Sequence, residues 1–132
     1  PLTFFFFFLT EEDSLNRNKF DIKTRALMPL IDGLCFFVLH YNLKGINNTY
    51  LRFKQLAITD PKNEEIYLNC ADAFITLSKY RTIEGLRNDD SGQYISITDM
   101  SKLEKDKLKA ALYQMKELEE LIKGKFKLTQ FS

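Results

Sequence analysis

Three ionisable residues lie beside apolar stripes or on their register, and they carry most of the chemistry on offer. Asp32 follows Ile31 in the apolar run Leu27-Met28-Pro29-Leu30-Ile31, Arg52 sits between Leu51 and Phe53, and Arg81 falls in register with Ile66, Cys70, Phe74 and Leu77. A carboxylate or guanidinium taken out of water is costly unless it is paired, so two readings stand side by side. In one, Asp32 pairs with an arginine and holds helices together. In the other, the arginines stand at the wall of a groove, where the planar guanidinium fork suits phosphate or carboxylate.

The remaining chemistry is thin. There is no Gly-rich phosphate loop, no nucleophile elbow and no pair of carboxylates at metal-binding spacing. Two cysteines and one histidine show no zinc-ligand spacing. His40, near a helix end, reads as a surface or rim residue and not as a general base. Asp89-Asp90-Ser91-Gly92 lacks the further oxygen ligands of a calcium loop and reads as a turn. Lys102, Lys105, Lys107 and Lys109 are interleaved with Glu104 and Asp106, as on a solvated helix. Lys123, Lys125 and Lys127 complement the dipole at that helix's C-terminal end. No catalytic residue, no metal ligand and no cofactor are therefore expected in this chain.

Composition narrows the class further. With 132 residues, 45% of them hydrophobic, the chain suffices for one domain with a real core and is short for two. Nineteen Lys+Arg against 18 Asp+Glu leave a net charge of +1, which speaks against a general nucleic-acid binder. Cys35 and Cys70 both lie in apolar stretches and read as reduced core thiols of a cytoplasmic protein. No apolar run reaches the roughly 18 residues of a membrane span.

From Ala26 onward the elements that must position the polar residues read as helices. The first runs from about Ala26 to Tyr41, apolar nearly all round and hence expected to be central and buried, with Pro29 in its first turn. Asn48 or Thr49 caps a short second helix ending near Leu56. A third begins after Pro61, with Asn63 as its cap and Glu64 and Glu65 in its first turn, and Gly85 loosens its end. Ser101-Lys102-Leu103-Glu104 is a capping box that opens the fourth, with Leu108, Ala111, Leu112, Met115, Leu118, Ile122 and Phe126 on one face.

The N-terminus reads differently. Phe4 to Leu9 is short, aromatic and closed by polar residues, which favours a β-strand with two apolar faces. Lys19 to Ile22 is the expected second strand of a hairpin, reached through the loop Glu11 to Asn18. The chain opens at Pro1, and the outer face of its first strand needs cover. This suggests a piece of a longer chain, or a protomer that pairs through Phe4–Leu9. The expected fold is mainly α: an up-and-down bundle of three long helices and one short, with an N-terminal β-hairpin. It forms a single domain over 1–132, with the hairpin at 1–23 and the bundle at 24–132.

Several stretches, taken in order, resemble the nucleotidyltransferase substrate-binding domain family. Pro1-Leu2-Thr3-Phe4-Phe5 is similar to that family's entry motif. Phe20-Asp21-Ile22-Lys23 and Leu27-Met28-Pro29-Leu30-Ile31-Asp32 resemble its Asp-Leu-Lys and Pro-(Ile/Leu)-Val-Asp signatures. Asn48-Thr49-Tyr50-Leu51-Arg52-Phe53 is similar to its Asn-Thr-x-x-Arg-Leu motif. Arg81-Thr82-Ile83-Glu84-Gly85-Leu86, with Asp90-Ser91-Gly92-Gln93-Tyr94, resembles a variant of the motif on its third helix. The chain departs from the family where Cys35 replaces the arginine of the common Asp-Leu-Ala-Arg. It departs again where Arg81-Thr82-Ile83 stands for Arg-His-Gln.

The resemblance implies a C-terminal piece of a bacterial nucleotidyltransferase related to PII uridylyltransferases, in proteins that often carry CBS or cyclic-nucleotide-binding modules. The metal-binding carboxylates then belong to a preceding catalytic domain, Mg²⁺ and NTP to the parent enzyme, and this chain positions nucleotide or acceptor. By resemblance, Lys23, Asp32, Arg52 and Arg81 are its substrate-binding candidates. The competing reading is an interaction or dimerisation bundle without a small-molecule ligand. RNA binding ranks third, for want of a continuous basic stripe.

Overall fold

The computed structural model describes residues 19–131, so the expected strand Phe4–Leu9, the loop after it and the proposed pairing through that strand lie outside the described residues. The described residues are mainly α, with four helices and one small antiparallel sheet. Strand β1, Lys19–Asp21, buries Phe20 and hands over through Ile22 to a π-helical turn, Lys23–Leu27. Asp21 Oδ1 accepts the Thr24 amide at 3.0 Å and so starts that turn. The turn closes when the Met28 amide donates to the carbonyl of Lys23, the wide i→i+5 spacing of a π-helix.

Helix α1, Met28–His40, continues directly and carries Pro29 in its first turn. Its apolar circumference does not make it a buried axis, as the sequence suggested. Leu30, Gly33, Leu34 and Phe37 face the core, whereas Met28, Ile31, Cys35 and Leu39 form a stripe open to solvent. Cys35 is accordingly no core thiol, while Cys70 is buried and burial pushes its thiol up to about 12. Helix α1 packs closely on the last helix at Gly33, where a Cβ would stand 2.7 Å from Leu118 Cδ2 and the leucine side chain would have to shift.

Helix α2, Thr49–Thr59, is capped by Asn48, whose side chain accepts the Leu51 amide at 3.0 Å. After a 3₁₀ turn at Pro61–Asn63 comes α3, Glu64–Asn88, which packs against α2 on one side and the last helix on the other. That double contact explains why Tyr67, Ala71 and Ala73 are buried beside the expected Cys70 and Leu77. The Asn63 side chain does not cap this helix, being engaged by Asp60.

Gly85 does not loosen the helix end but lets the chain fold back on it. It is buried, and a Cβ would meet the Asp90 carbonyl oxygen at 2.8 Å. Gly92, at φ +70°, lies so close to the Arg81 carbonyl that a Cβ would come within 1.9 Å. The returning segment forms β2, Tyr94–Ser96, an element the turn-rich sequence before it does not announce. It pairs antiparallel with β1 in the register Lys19↔Ser96, Phe20↔Ile95, Asp21↔Tyr94. Helix α4, Lys102–Phe131, begins with the expected capping box: the Glu104 amide donates to Ser101 Oγ at 3.1 Å, and the Ser101 amide to Glu104 Oε1 at 3.3 Å. The core joins both strands to all four helices through Phe20, Ile95, Phe37, Phe53, Tyr67, Leu77 and Leu108.

Candidate functional site

Two of the four candidate residues meet. A groove of about 440 Å³ opens between the π-helical turn, the first half of α1, the second half of α3 and the turn after it. Lys23 and Arg81 line it, with Ser78, Thr82 and Ser91 beside them and Leu27, Met28, Ile31 and Phe74 as its apolar wall. Its size and its mixture of apolar wall with a few polar groups are those of a small-molecule site.

The fold holds Arg81 deliberately. Its Nε–H donates to the Ser91 carbonyl at 3.1 Å, and the Ser91 turn is itself braced by the Gly92 amide donating to Asp90 Oδ1 at 2.8 Å. The guanidinium is thus tethered by one edge, which among the described residues leaves its two Nη groups for other work. Lys23 is exposed, at the start of the π-helical turn that Asp21 anchors. The turn and α3 are brought together by the β1–β2 pair, reinforced where the Ile22 amide donates to the Gln93 carbonyl at 2.9 Å and Gln93 Nε2 donates to Asp21 Oδ2 at 3.2 Å.

Asp32 and Arg52 do not join them. Asp32 is exposed on α1, and no ion pair among the described residues contains it, so the buried Asp–Arg pair does not form. Arg52 faces the loop before its own helix, donating from Nε to the Ile46 carbonyl and from Nη2 to Asn47 Oδ1 at 3.4 Å. His40 stays at the surface, stacked on the Phe36 ring with centroids 5.9 Å apart.

A second polar cluster was not legible in the sequence. Asp60, between α2 and α3, accepts on Oδ2 from Tyr67 Oη at 2.7 Å, Asn63 Nδ2 at 2.9 Å and Tyr41 Oη at 3.0 Å. Lys125 Nζ, from α4, stands 3.7 Å from the same oxygen and 5.3 Å over the Tyr41 ring. Burial pushes the Asp60 carboxyl up, but the three hydrogen bonds and Lys125 outweigh it and hold the group below the usual carboxylate range. Burial and the neighbouring carboxylate push Tyr67 far above the ordinary phenol range. The contributing positions are spread from 41 to 125, so no local motif could reveal the cluster. Its one sequence signal is an Asp immediately before a helix-starting Pro.

A shallower pocket between α3 and α4 is lined by Asp72 and Lys107 with Asn69, Thr76 and Gln114, a two-sign surface with no net preference for either charge. Among the described residues no group of three or more His, Cys, Asp or Glu side chains is placed to hold a metal ion. Nor is any described helix long and apolar enough to cross a membrane.

Comparison with known proteins agrees with the resemblance read from the motifs. A family model described as "Putative nucleotidyltransferase substrate binding domain" matches residues 1–126. No curated protein and no solved structure matches the chain. With the family model covering nearly the whole sequence, this chain belongs to the nucleotidyltransferase substrate-binding domain family.

Proposed function

We propose that this chain is an accessory helical domain that holds nucleotide or acceptor in the Lys23–Arg81 groove for a separate catalytic domain of the same polypeptide. The parent protein is read as a cytoplasmic bacterial enzyme of the PII-uridylyltransferase type, using Mg²⁺ and NTP and, with CBS modules, serving signal transduction. The domain's contribution is position, since orienting two reactants lowers the barrier without any bond-making group of its own. The observation that carries this reading is the convergence of Lys23 and Arg81 on one groove. Nucleotidyl transfer by the full polypeptide tests it. Lys23→Ala is expected to lower kcat/KM roughly tenfold, about the loss of one charge-assisted contact, with an unchanged melting temperature. Unchanged transfer would remove the groove from the reaction.

One observation favours the interaction-module reading: the exposed stripe Met28, Ile31, Cys35 and Leu39 along α1. Cys35→Asp and Leu39→Asp, both outside the groove's lining, test it by sedimentation. A drop in assembly state with transfer intact would favour interaction as the main role.

A further inference from the structure

We propose that the Lys23–Arg81 groove takes a phosphate monoester carried on a flat apolar body, without a metal ion, and not the metal-bound triphosphate. The proposal rests on reading the groove as the substrate site and narrows which substrate it holds. Lys23 and Arg81 supply two positive charges, and no Asp or Glu is among the described residues that line the groove. A phosphate monoester carries about −1.5 to −2 charge at neutral pH and three acceptor oxygens, which balances that pair. A carboxylate brings about half the charge and two oxygens.

The donors suit the same group. With Nε tied to the Ser91 carbonyl, Arg81 presents its Nη edge. Ser78 and Ser91 add hydroxyls to the wall, whereas the Thr82 hydroxyl is already donated to the Ser78 carbonyl at 2.9 Å. Magnesium bound to a triphosphate is held partly by protein carboxylates, and the groove's described lining supplies none. Met28, Ile31 and Phe74 in the same lining offer an apolar face for a base or aryl ring.

Calorimetric titration of the full polypeptide tests this, with adenosine and uridine 5′-monophosphate as probes and adenosine and inorganic phosphate as controls, all in EDTA, and with Mg²⁺-bound ATP and UTP in a separate titration without it. The monophosphates should bind saturably, each control at least tenfold more weakly. Lys23→Ala should weaken monophosphate binding five- to tenfold, and Met28→Asp should weaken it as well, with melting curves unchanged for Lys23→Ala. No saturable monophosphate binding, affinity untouched by Lys23→Ala, or uptake only of Mg²⁺-bound triphosphate would overturn the proposal. Transfer impaired by Lys23→Ala alongside uptake only of the metal-bound triphosphate sinks this proposal and leaves the accessory-domain reading standing. Monophosphate binding that depends on Lys23, with transfer untouched, does the reverse.

Discussion

The Asp60 cluster and the Lys23–Arg81 groove each gather polar side chains from distant parts of the chain and reach opposite electrostatic states. At Asp60 one carboxylate oxygen collects two phenols and an amide, with an ammonium beside them, and the charges of Asp60 and Lys125 answer each other. In the groove two cations share the lining with apolar side chains and, among the described residues, with no carboxylate, and Arg81 is tethered through Nε to a carbonyl. A saturated cluster stabilises the chain it belongs to. An unbalanced one keeps its donors for a ligand, which is why the groove and not the more elaborate cluster is the candidate site.

Substitutions can break this contrast. The largest effect is expected at Asp60→Ala, which strands the Tyr67 hydroxyl and takes the shared acceptor away from Tyr41, Asn63 and Lys125. A loss of about 3 kcal/mol is expected from urea unfolding, against about 1 kcal/mol for Tyr67→Phe. The same site sets a pH dependence. Because the folded-state pKa of Asp60 is depressed, its contribution is complete above the unfolded value near 3.8 and is lost as pH falls through the lower folded value. Asp60→Asn should flatten that acid limb of the stability profile.

Gly92→Ala should follow, at about 2 kcal/mol, because a Cβ would strike the Arg81 carbonyl in a backbone conformation at φ +70°. It should also disturb the turn that tethers Arg81, so groove function should fall further than stability alone accounts for. Lys23→Ala is the counterpart, with melting unchanged while transfer or binding drops. If Lys23→Ala melted the protein as Asp60→Ala does, the division between saturated and unbalanced clusters would fail. Arg52→Lys is expected to be the mildest, about 0.5–1 kcal/mol, since it removes only the hydrogen bonds to the loop at Ile46 and Asn47.

Much of the fold was readable because its signals are local. The capping box at Ser101 and Glu104, the Asn48 cap, Pro29 in a first turn and the spacing of Leu108 to Leu118 all act within one or two helical turns. Features that depend on distant neighbours are of another kind. Periodicity marks which residues are apolar and leaves open how many neighbours a helix has, so α1 was read as buried although its Met28–Leu39 stripe is open. β2 escaped notice because a three-residue strand has little pattern of its own and exists only when β1 lies beside it.

The site divides along the same line. Lys23, Asp32, Arg52 and Arg81 were all singled out by type and motif, and the sequence by itself determined that the chain is a helical member of its family carrying these charges. Which of them share a groove was decided by the return of the chain at Gly92, which tethers Arg81, and by the β1–β2 pair, which sets the Lys23 turn against α3. The Asp60 cluster likewise exists only once positions 41, 60, 67 and 125 are folded together. Helix caps and stripes are written in neighbours along the chain, whereas charge balance belongs to neighbours in space.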